Sequence, residues 1–128
     1  MSKTSTPSPS FVLGVVMALQ FTWTVRVPVP GNDDYTHAEL PLTFQAVDQT
    51  ELDKMRGLGL AEGEAPPTDE QIVRRVVVGW PSLKNADGEE VPFSDEALTQ
   101  LLRSPMVRTA IVATYMAAMS GMAARKNG

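Results

Sequence analysis

The chain has 128 residues, the size of a single domain, with 43% hydrophobic and only 6% aromatic residues, so Val, Leu, Ala and Met must fill its core. Its formal net charge of −4 argues against nucleic acid, whose binders carry a basic patch; Arg74-Arg75 and Arg125-Lys126 are only small basic pairs. Cysteine is absent, which excludes disulfides and thiolate metal sites and suits a reducing cytoplasm.

Residues 2–10 are mostly Ser, Thr and Pro and read as a flexible tail. Residues 11–19 are apolar and follow Lys3, but with one early positive charge and with Pro7 and Pro9 before them they make a poor signal-peptide core. Apolar and polar residues alternate over 21–27, the period of a half-buried strand. Pro28 and Pro30 end that strand or put its end at a sheet edge. Pro30-Gly31-Asn32-Asp33-Asp34 is turn chemistry. Alternation resumes over 38–47 through Leu40, Leu42, Phe44 and Ala46. The two strands are expected to form an antiparallel hairpin with Trp23 and Phe44 on its buried face. A two-stranded hairpin is marginal alone, so helices or a partner chain must cover that face.

Residues 50–55 open a short helix with an acid in its first turn, and Gly57 and Gly59 stop it. Residues 61–67 form an acidic, Pro-rich candidate hinge. Thr68-Asp69-Glu70-Gln71 is a capping box, predicting a helix to about Val78 with Ile72, Val73, Val76 and Val77 inward. The β-branched run 76–78 also fits a strand, but the cap favours helix. Asp87-Gly88 is a turn. Ser94 caps the next helix, which exposes Glu96, Thr99 and Gln100 and buries Ala97, Leu98, Leu101 and Leu102. Pro105 suits the first turn of a new helix, expected to run to about Ala124. Residues 109–124 carry no charge, yet they are slightly short for a membrane span and rich in Ala, Ser and Gly. The expected fold class is α+β, an N-terminal antiparallel β-hairpin followed by a mainly helical C-terminal half. It forms one domain over 11–128, strand-rich at 11–60 and helical at 68–125, behind the tail 1–10.

No catalysis is legible. His37, the single histidine, sits by a predicted turn, and without Cys the usual zinc sites are excluded. Asp33-Asp34 and Glu89-Glu90 lack calcium-loop spacing, Gly57-Leu58-Gly59 lacks the Lys of a phosphate loop, and no serine has a base partner. The reading is therefore no enzyme, no cofactor and no metal. What remains is surface for protein. Val107, Ile111, Tyr115, Met119 and Met122 recur at helical spacing and are the candidate protein-binding residues. The opposite side of that helix is also apolar, so either the domain wraps it or another chain covers one face, giving a homo-oligomer. Ala113, Ala117, Ser120 and Gly121 allow close helix approach. The many Met residues serve either as core filler or as an adaptable contact surface.

The order of motifs after Gly79 carries a resemblance. Trp80 comes first, then Gly88-Glu89-Glu90-Val91-Pro92-Phe93-Ser94, then Leu101-Leu102-Arg103-Ser104-Pro105, and finally Ala124-Arg125-Lys126-Asn127. The opening, with Phe11-Val12-Leu13-Gly14 and the strand ending Val27-Pro28-Val29-Pro30-Gly31, extends it. The chain resembles the tail assembly chaperones of long-tailed bacteriophages. The resemblance implies a non-catalytic assembly factor in the host bacterial cytoplasm, absent from the mature virion. It would bind and solubilise the tape measure protein, a very long helical client, and help recruit tail tube subunits. It also implies self-association and, in many members, a longer product made by a −1 ribosomal slip near the end of the short form. Arg125-Lys126-Asn127 permits a slippery heptamer; a basic helix end is the simpler reading. The rival reading is a structural tail tube or connector subunit of the virion.

Overall fold

The computed structural model describes residues 19–121. The predicted tail, the apolar stretch before Leu19, Met122 and the basic end of the chain lie outside the described residues.

β1 (Gln20–Pro30) and β2 (Tyr35–Gln45) pair antiparallel, with Trp23 opposite Leu42 and Arg26 opposite Glu39. Two main-chain bonds fix the phase of this ladder: Ala46 N–H donates to the Leu19 carbonyl at 2.8 Å, and Gly31 N–H donates to the Asp34 carbonyl at 2.8 Å. Odd-numbered residues of β1 therefore exchange main-chain bonds with β2, while the even-numbered ones turn theirs away. All three strand prolines obey this phase. They sit in the pairs Thr24–Pro41, Pro28–His37 and Pro30–Tyr35, where no N–H is owed to the neighbouring strand. Side chains approach closely in the same class of pair, as in the 3.1 Å contact between the Thr22 and Thr43 hydroxyls.

The expected hairpin is thus present, and it gains a third strand. α2 (Asp69–Val76) ends earlier than the sequence suggested, and Val77–Gly79 forms β3, which pairs with β2 at Thr43 and Phe44. The β-branched run supplies strand geometry, and β2 has main-chain groups at Thr43 that need a partner. Among the described residues, the sheet order β1-β2-β3 leaves β1 at an edge.

The helices cover one face of this sheet. α1 (Gln49–Met55) starts at Asp48, whose carboxylate accepts from Glu51 N–H at 2.8 Å. It ends before Gly57, whose φ of +82° closes the helix without a Cβ penalty. The capping box of α2 is complete: Gln71 N–H donates to the Thr68 hydroxyl at 3.2 Å, and Thr68 N–H to the Gln71 side chain at 2.9 Å. α3 (Asp95–Leu102) starts at Ser94, which accepts from Ala97 N–H at 3.0 Å. Arg74 ties α2 to α3, its guanidinium lying 2.9 Å from Asp95 and 2.8 Å from the Thr99 hydroxyl. α4 (Pro105–Met119) begins at Ser104 with Pro105 in its first turn. It stops at Met119 rather than near Ala124, because Ser120 donates its hydroxyl to the Met116 carbonyl at 2.8 Å and Gly121 turns to φ +72°.

The core lies between sheet and helices. Val25, Val27, Leu40, Leu42 and Phe44 from the sheet meet Ile72, Val73, Val76, Leu98, Leu102, Ile111 and Tyr115 from the helices. Ile72, Val73, Val76 and Val77 are all buried, as their spacing predicted. In α3, Leu98 and Leu102 are buried, while Ala97 and Leu101 are only half-buried. Trp23 departs from expectation. It shares a face with Val25, yet 40% of it is exposed; it sits on the edge strand of the described sheet, beside a hollow that Ala118 and Met119 of α4 also line.

Candidate partner-binding surface

α4 presents three different environments around its circumference. Ile111 and Tyr115 point inward and are fully buried, each contributing about 1.5–3 kcal/mol of transfer free energy. The Tyr115 ring lies 5.4 Å from that of Phe44 and stacks on Phe21 at 6.3 Å. Its hydroxyl donates to the Gln45 carbonyl at 2.7 Å, which satisfies the one polar atom this ring carries inward. Burial pushes the phenol up to about 12, with Glu51 adding to the rise and Arg75 opposing it.

The second environment is an apolar groove made of two separate hollows between α4 and β1, the edge strand of the sheet among the described residues. At one end Met106, Thr109, Ala110 and Ala113 face Arg26 and Pro28 across about 410 Å³. At the other end Ala118 and Met119 face Leu19, Phe21 and Trp23 across about 460 Å³. Trp23, Leu19 and Met106 are the exposed large apolar residues here. Among the described residues, Arg26 is the only charged one lining either end. The third environment is the junction with α2 and α3, where Val107, Val112 and Met116 pack half-buried against the core.

The five residues singled out from the sequence therefore do not form one open surface. Ile111 and Tyr115 are core, Val107 is half-buried beside them, and Met119 alone reaches the groove; Met122 lies outside the described residues. The groove residues Leu19, Trp23, Thr109 and Ala113 were not among the candidates. The signal that could have found them was the proline phase: Pro28 and Pro30 mark β1 as an edge, and an edge leaves the flank of the helix above it open.

The motif residues after Gly79 have a structural explanation. Trp80 donates its indole N–H to the Val91 carbonyl at 2.8 Å and meets Phe93 edge-on at 4.8 Å. The intervening loop is closed by Asn85, whose side-chain oxygen accepts from Asp87 and Glu89 N–H at 2.9 and 3.0 Å. Gly88 takes φ +79° at the turn. These residues hold the long arm that delivers Ser94 to the start of α3.

Among the described residues there is no group of three or more His, Cys, Asp or Glu able to hold a metal ion, and His37 lies exposed near the hairpin tip. Among those residues no helix is long and apolar enough to cross a membrane.

A family model described as phage tail assembly chaperone fits residues 10–127, nearly the whole chain. No curated protein and no solved structure matches.

Proposed function

We propose that this chain, which belongs to the phage tail assembly chaperone family, binds the tape measure protein and keeps it soluble while the tail is built. The observation that carries this reading is the apolar groove between α4 and the edge of β1, with exposed Met106 and Trp23 at its two ends. A long helical client aggregates unless its apolar stripe is covered. A groove lined by Met, Ala and one Trp covers such a stripe without demanding a particular sequence. Ile111 and Tyr115 support the groove from inside rather than touching the client.

Three further parts of the proposal follow from the family. The chaperone works as a homo-oligomer in the host bacterial cytoplasm and is left out of the mature virion. It helps recruit tail tube subunits. A longer form, made by a −1 slip at codons for Arg125-Lys126-Asn127, supplies the tube contact. The gene's nucleotides decide that last step: an absent slippery heptamer there removes it. Co-expression with the neighbouring tape measure gene tests the main reading, which expects the tape measure protein in the soluble fraction, bound to this chain. Recovery of the chain as a stoichiometric component of purified virions favours a structural tail subunit instead.

A further inference from the structure

We propose that two copies of this chain pack back to back through the sheet face turned away from the helices, about a two-fold axis that runs along the hairpin between β1 and β2. This contact gives the homo-oligomer of the proposed function its place on the fold, and it rests on that reading.

Val25, Val27, Leu40, Leu42 and Phe44 are buried towards the helices, so the residues alternating with them form the opposite face of the hairpin. That face runs from the pair Gln20–Gln45 to the pair Pro30–Tyr35, and none of its residues is buried. Arg26 and Glu39 are its charged residues, whereas a surface that meets only water is about 25–35% charged. Tyr35 at its tip is 66% exposed. Three prolines on this face decide how the outer half of the hairpin can be touched. Pro28 and Pro30 lack an N–H on the side of β1 turned from β2, and Pro41 lacks one on the side of β2 turned from β1. A strand added at either edge would need those donors. A partner laid on the face needs none of them.

The charges select a second copy as that partner. A two-fold axis along the hairpin lays β1 of one copy over β2 of the other at equal height, so each cross-strand pair meets the same pair reversed. Arg26 then lies over the partner's Glu39, and Glu39 over the partner's Arg26. Within one chain these two residues stand directly opposite and exposed, yet they form no ion pair with each other. One charge of each sign therefore points outward, in the arrangement that a two-fold makes complementary. A partner surface of a single sign would oppose one of them. At the tip, Tyr35 comes over the partner's Pro30. Two strands of eleven residues make a strip of roughly 35 Å by 10 Å. Two such strips bury on the order of 1,000 Å² in all, the size at which specific interfaces begin. The helices lie on the other side of the sheet, so a dimer formed here leaves the groove to the client; Arg26 alone belongs to both surfaces.

Light scattering and native mass spectrometry of full-length variants test the contact. Glu39→Arg and Arg26→Glu each put like charges across the axis, so each alone should be a monomer at concentrations where the wild type is associated. Mixed in equal amounts they restore both opposite pairs between chains, while the like charges within each chain stay as they were. The mixture should therefore give a dimer with one chain of each kind. A mixture that stays monomeric overturns the proposal, as does either variant keeping the wild-type mass. Tyr35→Ala, at the exposed tip, serves if the charge variants fail to fold: it should raise the dissociation constant roughly tenfold or more with an unchanged circular dichroism spectrum, and a wild-type constant overturns the proposal. Ala113→Asp in the groove should keep the wild-type mass. A mass lowered by Ala113→Asp and not by Tyr35→Ala would put the self-contact in the groove instead. A wild type that is monomeric throughout removes the homo-oligomer itself, whereas an associated wild type that the hairpin variants leave intact removes only this interface.

Discussion

Tyr115 in the middle of α4 donates its hydroxyl to the main-chain carbonyl of Gln45 at the end of β2, 2.7 Å away and 70 positions distant in the chain. This bond fixes how α4 lies over the sheet, and with it the width of the groove that α4 makes with β1. Phe21 and Phe44 pack on the same ring, so both strands of the hairpin are registered against one helical residue.

Tyr115→Phe should cost about 1–2 kcal/mol, since the ring packing survives while the Gln45 carbonyl loses its partner. The wild type should also carry a pH dependence that the variant lacks. The folded phenol ionises near 12 rather than at the ordinary 10. The unfolded chain therefore loses this proton first, and stability present below pH 10 falls as pH rises towards 12, by about 2–3 kcal/mol from this group. Urea titrations of both proteins from pH 9 upwards should show their difference shrinking and then reversing. A constant difference would mean that Tyr115 does not titrate as described.

Ile111 is fully buried, so Ile111→Ala should destabilise by about 2–5 kcal/mol through lost transfer energy and the cavity left behind. Ile111→Asp should prevent folding rather than selectively remove a contact, because an unpaired charge there has no solvent. Circular dichroism and thermal melting separate these outcomes. A cooperatively folded Ile111→Asp protein would move this residue to the surface.

Arg74 bridges Glu70, Asp95 and Thr99, but its side chain is 30% exposed and the Asp95 carboxylate is almost fully exposed. Arg74→Ala should therefore cost only about 1 kcal/mol, and the deficit should shrink at high salt as screening weakens the wild-type ion pairs. Chemical denaturation in low and high salt checks both statements.

These predictions also show which features could be read from the sequence. The hairpin, the capping box at Thr68 and Gln71, the serine cap at Ser94 and the start at Pro105 are local chemistry, and each was legible. The fate of Val77–Gly79 was not, because the run follows a capped helix without a break, and its strand partner at Thr43 is distant in the sequence. The end of α4 was misplaced because the Ser120 and Gly121 cap sits inside a run of small apolar residues. The candidate site was only partly legible for a similar reason. Periodicity identifies Val107, Ile111, Tyr115 and Met119 as one stripe, but says nothing of whether the sheet or a partner covers it. The sheet covers Ile111 and Tyr115, and the open flank passes to Met106 and Ala113.

The groove and the exposed Trp23 leave apolar surface that self-association would cover. Light scattering across a concentration series should give a mass above that of a single chain, rising with concentration. A monomer at every concentration would remove the homo-oligomer from the proposed function.

The central claim is that the groove, and not the buried stripe, contacts the tape measure protein. The most direct measurement is the soluble fraction of the neighbouring tape measure protein co-expressed with wild type, Ala113→Asp or Met106→Asp. Both positions are exposed, so the variants should fold as the wild type does, by circular dichroism, while a charge in the apolar contact costs several kcal/mol of binding. The account predicts that the wild type keeps the tape measure protein soluble and both variants lose most of that effect. Folded variants that solubilise it as well as the wild type would contradict it.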